Sequence, residues 1–90
     1  MAVTVSLYGN LRLVLDQKEI RLDWKGGTLQ ELIIHMAAQY GKMVTEELFD
    51  ENGELDRAYA LFIRGVKTDD LSVRIEDGDE VVITSMLAGG

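Results

Sequence analysis

The stretch that most constrains the fold is G-G-T-L-Q-E-L, residues 26–32. Thr28 and Glu31 stand three apart at the head of an apolar-periodic run, which is the pattern of a capping box. The Thr28 hydroxyl accepts from the Glu31 backbone N–H, and the Glu31 side chain reaches back to the Thr28 N–H. Leu29, Leu32, Ile33, Met36, Ala37 and Tyr40 then recur at helical spacing, and Gly41 supplies a stop. The spacing predicts one amphipathic helix of about three turns.

The rest of the chain has a different period. Val3, Val5 and Leu7 alternate with Thr4, Ser6 and Tyr8, and Gly9-Asn10 ends that strand. Leu11–Lys18 reads as a connection to a second strand, in which Ile20, Leu22 and Trp24 alternate with Arg21 and Asp23, so the pair predicts a hairpin. Lys42–Asp56 reads as polar and turn-like around Asn52-Gly53. Tyr59–Arg64 forms a strand, Gly65 a tight turn and Val66–Thr68 a short continuation. Asp69–Glu76 reads as a loop, Asp77-Gly78 as a turn, and Glu80–Met86 as the last strand. One helix cannot cover both faces of a four- or five-stranded sheet. The expected architecture is α+β, with the helix packed on one face and the other face partly open as a docking surface.

Ninety residues fit one domain, and no repeat or long linker divides them. Apolar residues make up 47% and charged residues 28%, the profile of a folded domain. The first residues lack the basic start and apolar core of a signal peptide, and no stretch approaches the ~20 apolar residues of a membrane span. A cytoplasmic protein without membrane contact is expected.

Formal charge is −7, distributed unevenly. Residues 1–45 hold four acids and five bases, whereas residues 46–90 hold twelve acids and four bases. Such an acidic half is either a solvated surface or a face steered toward a basic partner. It repels a nucleic-acid backbone, so nucleic acid is not an expected partner.

No independent active site emerges. With no cysteine, disulfides and thiolate ligation are excluded, and no Ser-His-acid set emerges because the one histidine has no evident nucleophile beside it. His35 lies off the centre of the helix's apolar stripe and reads as a surface or edge residue without a role; Ile34 also projects away. Residues 50–56, D-E-N-G-E-L-D, place glycine at the fourth position, where a calcium loop of the EF-hand type needs it at the sixth. No phosphate-binding G-x-x-x-x-G-K-[ST] occurs. The acid pairs Glu46-Glu47, Asp69-Asp70 and Asp79-Glu80 read as solvated surface, because adjacent loop residues point different ways. Neither a metal site nor a cofactor site is expected, and the chain does not read as an enzyme by itself.

The sequence ends L-A-G-G, residues 87–90. Glycine adds no side chain and costs backbone entropy wherever it is held. Two readings stand. One is a frayed end, where small residues are tolerated. The other is a thin, flexible tail, 87–90, that enters a narrow site on another protein and presents the Gly90 carboxylate, which is ionised at neutral pH.

Taken in order, several segments resemble the MoaD/ThiS family of small ubiquitin-like sulfur carriers. They are V-T-V-S-L-Y-G-N-L-R, G-G-T-L-Q-E-L, F-I-R-G-V-K-T, D-G-D-E-V and the terminal L-A-G-G. The resemblance covers nearly the whole length and is closest to MoaD, the small subunit of molybdopterin synthase. It implies a β-grasp fold and a carrier role. A MoeB- or ThiF-like activating enzyme, holding ATP and a metal ion, would adenylate the Gly90 carboxylate. Sulfur from a donor such as a cysteine desulfurase or rhodanese would then replace AMP, leaving a thiocarboxylate. In the MoaD branch the tail would enter a MoaE-like large subunit and give its sulfur to a pterin precursor, in molybdenum cofactor biosynthesis.

By the same resemblance, Gly89 and Gly90 form the functional pair, while Leu87 and Ala88 lead into the partner's channel. Tyr8, Val66 and Met86 are the candidate docking residues on the open face, with Asp77, Asp79 and Glu80 at its rim. No residue follows Gly90, so no protease is expected to be needed to expose the tail. One departure stands out. The proline pair that many MoaD proteins carry before the tail is replaced by Ser85-Met86, and the chain contains no proline. Related carriers serve thiamine synthesis, tRNA thiolation or amino-acid synthesis, and some are ubiquitin-like modifiers conjugated to lysines. Those remain the alternative readings of the tail.

Overall fold

The structure, a computed structural model, describes residues 2–85. Strand β1 (Ala2–Leu7) and strand β2 (Glu19–Asp23) pair antiparallel, with Val3 opposite Leu22 and Val5 opposite Ile20. This register puts the apolar set of both strands on one face, as the alternation requires. Strand β3 (Gly27–Thr28) leads into helix α2 (Leu29–Tyr40). Strand β4 (Tyr59–Ile63) turns back through Arg64-Gly65, both at positive φ, into strand β5 (Val66–Thr68). The short strand β6 (Arg74–Ile75) follows, and then β7 (Glu80–Ser85).

The main sheet has the order β2-β1-β7-β4-β5. The last strand therefore sits at the centre, parallel to β1 and antiparallel to β4. Val3, Val5, Leu7, Ile20, Leu22, Leu61, Val81 and Ile83 form one buried face with Leu29, Leu32, Ile33 and Met36 of α2. This mixed sheet with its main helix on one face is the expected β-grasp architecture.

The capping box at the head of α2 is formed in full. Glu31 N–H donates to Thr28 Oγ1 at 3.2 Å, and Thr28 N–H donates to Glu31 Oε1 at 2.8 Å. The Thr28 N–H, and the Thr28 hydroxyl donating to the same Oε1 at 3.2 Å, hold the Glu31 carboxyl below its ordinary pKa. Two further N–H groups of the first turn are satisfied from a distant loop. Leu29 N–H donates to Val73 O at 2.8 Å, and Gln30 N–H donates to Leu71 O at 3.0 Å. The segment expected to be a plain loop, Asp69–Glu76, thus has a structural task, and its β6 pairs with β3. Trp24 Nε1–H closes the same corner by donating to Ile75 O at 2.9 Å.

Two other expected connections contain helices. Asn10–Leu15 is α1 and Met43–Leu48 is α3. Each inserts its own apolar pair at i,i+4 spacing: Leu11 with the partly buried Leu15, and Val44 with Leu48. Six residues hold fewer than two turns, too short for periodicity to register against the polar residues around them.

Candidate functional site

Of the candidate site residues, Met86, Leu87, Ala88, Gly89 and Gly90 lie outside the described residues. What the structure defines is the scaffold that leads to them. β7 is flanked by β1 as far as Ile83, which pairs with Leu7 and Leu61, and by β4 as far as Ser85, which pairs with Tyr59. The core side of this strand, Val81 and Ile83, is fully buried.

Polar groups from three elements meet at that end. Glu47 Oε2, on α3, accepts from Tyr59 Oη of β4 at 2.7 Å and from Asn10 Nδ2 of α1 at 3.0 Å. Tyr59 is 7% exposed. Burial and the bond to Glu47 push its hydroxyl pKa up to about 12. These three residues, with Glu46, Asp56, Ala58 and Ser85, line an open groove of about 420 Å³. Part of the acidic half is thereby concentrated beside the end of β7.

The sheet's second face carries the alternate set of side chains. Register places Ser6, Val82, Phe62 and Lys67 in one row across it, with Thr4 beside Glu80 in the next. Phe62 and Val82 are half-buried, and Ser6 Oγ donates to Glu80 Oε2 at 3.5 Å. Tyr8 follows β1 on this parity and is half exposed, its N–H donating to Ile83 O at 2.8 Å. Val66 lies elsewhere. It pairs directly with the buried Ile63 and so belongs to the opposite face, at the sheet's edge, where it is 67% exposed. Tyr8 and Val66 are therefore not brought together. Phe62 and Val82 are the apolar side chains that a reading by strand ends overlooks. Alternation would have found them: each is one residue from a core position, Leu61 or Ile83, and so points to the opposite face.

The acidic rim is partly tied down. Asp79 pairs with Arg64 and accepts from Glu76 N–H at 2.8 Å. Burial raises its carboxyl pKa, but these bonds outweigh it and hold the group below the ordinary value. Asp77 Oδ1 accepts from Ala2 N–H at 2.7 Å, so the turn before β7 is fastened to the start of β1. Glu80 is exposed. His35 is half-buried at the edge of the stripe, its ring 6.0 Å from that of Trp24. Its Nε2 is enclosed without a hydrogen-bond partner among the described residues. Among the described residues no cluster of three His, Cys, Asp or Glu side chains could hold a metal ion, and no helix is long and apolar enough to cross a membrane.

No family model and no curated protein matches the chain. Solved structures do. SAMP1 from Haloferax volcanii superposes with a TM-score of 0.85 at 20% identity, covering 100% of both chains. A Pyrococcus furiosus protein assigned as molybdopterin converting factor subunit 1 gives 0.74 at 19% identity, over 94% of this chain and 97% of its own. CysO, an antigen of Mycobacterium tuberculosis, gives 0.77 at 30% identity, over 92% of this chain and 97% of its own. The first two likenesses establish the fold. The third adds identity along nearly both full lengths, and on that ground the chain belongs to the MoaD/ThiS family of ubiquitin-like sulfur carriers.

Proposed function

We propose that this chain carries sulfur on the carboxyl group of Gly90, with Gly89 as its slender approach. A carboxylate oxygen attacks the α-phosphate of ATP on a MoeB- or ThiF-like partner, forming the acyl adenylate and releasing pyrophosphate. The terminal sulfur of a persulfide on a cysteine desulfurase or rhodanese then attacks the acyl carbon and AMP leaves. A second thiol attacks the resulting acyl disulfide, forming a disulfide with the donor cysteine and releasing the thiocarboxylate. Adenylation is needed because a carboxylate has no adequate leaving group, whereas AMP leaves readily. The ATP and metal site belong to the partner, and this chain supplies the reacting atom and the docking surface.

One observation carries the reading. β7 is the central strand, paired with β1 as far as Ile83 and with β4 as far as Ser85, and residues 86–90 follow directly from it. A rigid strand root beside an uncovered sheet face is what a tail delivered into another protein requires. Tyr8, with Phe62 and Val82, would meet the activating enzyme on that face, and Val66 would touch it only at the hairpin edge. Met86 would join the docking contacts, and Leu87 and Ala88 would lead into the partner's channel.

The sulfur acceptor we assign is the pterin precursor of the molybdenum cofactor, received through a MoaE-like large subunit. The likeness to the Pyrococcus furiosus protein supports that choice. The test is ATP–pyrophosphate exchange by a matched activating enzyme with the full chain and with Gly90 deleted. Exchange should require Gly90. Equal exchange with both chains, or none with either, would contradict the proposal.

A second reading rests on the likeness to SAMP1, a small archaeal modifier protein. A modifier would leave glycine remnants linked to lysines of other proteins after protease digestion of cells expressing the tagged chain. Their absence would reject that reading.

A further inference from the structure

Ser85 is flanked in the plane of the sheet by two unlike neighbours. On the β4 side its partner is Tyr59. On the β1 side the chain has left the strand and lies against it as bare backbone at Gly9. Gly9 has φ +77° and ψ −146°, a region essentially confined to glycine. A Cβ on residue 9 would fall inside van der Waals contact of Ser85 Cβ, 3.0 Å from its backbone nitrogen and 3.3 Å from its Cα. These are atoms at or next to the backbone, so no rotamer change relieves the conflict. Either the end of β7 moves or the turn at Gly9 does.

The other side of Ser85 is braced. Asn10, next to Gly9, donates to Glu47, and Glu47 accepts from Tyr59 as well. The start of α1, α3 and β4 are thus linked into a collar at the strand's end. We propose that Gly9 is a positioning residue, which sets the direction in which the chain leaves the sheet after Ser85 while Asn10, Glu47 and Tyr59 hold the opposite side. This rests on the sulfur-carrier reading for its consequence in the reaction. Five residues reach at most about 17 Å. For a tail drawn out straight in the partner's site, a 20° change of heading at its root displaces the far end by about 6 Å over that reach. Misplacement of a reacting group by about 1 Å can cost 10²-fold in rate.

The experiment uses the full chain, its activating enzyme and ATP. Gly9→Ala should lower kcat for pyrophosphate exchange by about tenfold or more, with KM for the chain within about twofold of wild type, because no docking side chain is replaced and Tyr8 stays bonded to Ile83 O. Gly9→Ala/Ser85→Gly, compared with Ser85→Gly alone, should recover most of that loss, since the Cβ–Cβ conflict is gone. Ser85→Val keeps Gly9 and adds bulk toward it from a residue suited to a strand, so it should reproduce the kcat loss even if Gly9→Ala fails to fold.

A purely structural role would lower the melting temperature while leaving kcat per folded molecule unchanged and unrescued. That result, or a Ser85→Val chain with wild-type kcat, would overturn the proposal. If the wild-type chain supports no exchange, the carrier reading fails separately. Residual dipolar couplings of residues 84–88 then decide the positioning claim. They should change in Gly9→Ala or Ser85→Val and return in the Gly9→Ala/Ser85→Gly double variant, and unchanged couplings would refute it.

Discussion

Tyr59 shows how one side chain serves both the core and the site. Its ring is buried at the start of β4, while its hydroxyl donates to Glu47 beside the end of β7. With its pKa raised from 10 to about 12, the folded state holds the phenolic proton more tightly than the unfolded chain does. The stabilisation is therefore fully present below about pH 10 and is lost as pH rises from there toward 12. Tyr59→Phe should flatten that alkaline decline in denaturant titrations run at several pH values; an unchanged slope would show that the hydroxyl is not held this way. Individual site residues were legible only where chemistry is local. Gly89 and Gly90 are proposed from the sequence alone and lie outside the described residues, whereas Gly9 looks like any strand-ending glycine. Its contact with Ser85 joins residues far apart in sequence, and no local pattern encodes it.

Elements were legible in proportion to their length. The twelve-residue α2 announces itself by its capping box and its stripe, and both are present. Thr28→Ala removes the hydroxyl that accepts from Glu31 N–H and should cost about 1 kcal/mol. In a domain of this size that lowers the melting temperature by about 4–8 °C. Thr28→Ser should retain most of it, and an equal loss in both variants would point to β3 packing instead. The strands were also readable, because alternation marks which face is buried. By contrast, α1 and α3 escaped because each spends only two apolar side chains on the core. Alternation could not assign Val66 either: its face is fixed by pairing with Ile63 across the Arg64-Gly65 turn.

At the scale of the whole molecule, the sequence implied a sheet with one covered face but not the order of its strands. Placing the last strand between the first and β4 depends on long-range pairing. That placement puts the end of β7 beside Glu46, Glu47 and Asp56, which face the same groove as Ser85. A concentrated negative field there should speed encounter with a basic activating enzyme and be screened by salt. Raising ionic strength from about 0.05 to 0.5 M should slow association about tenfold and leave dissociation nearly unchanged. A salt-independent association rate in stopped-flow mixing would remove steering from the account.

The central claim is that the Gly90 carboxyl group is the reacting centre, and the most direct measurement of it is intact mass. After incubation of the chain with its activating enzyme, ATP and a sulfur donor, the spectrum should show one oxygen exchanged for sulfur. Fragmentation should place that exchange at Gly90, and the chain lacking Gly90 should show none. An unchanged mass with an activating enzyme proven competent on its own carrier, or sulfur found on any other residue, would contradict the account.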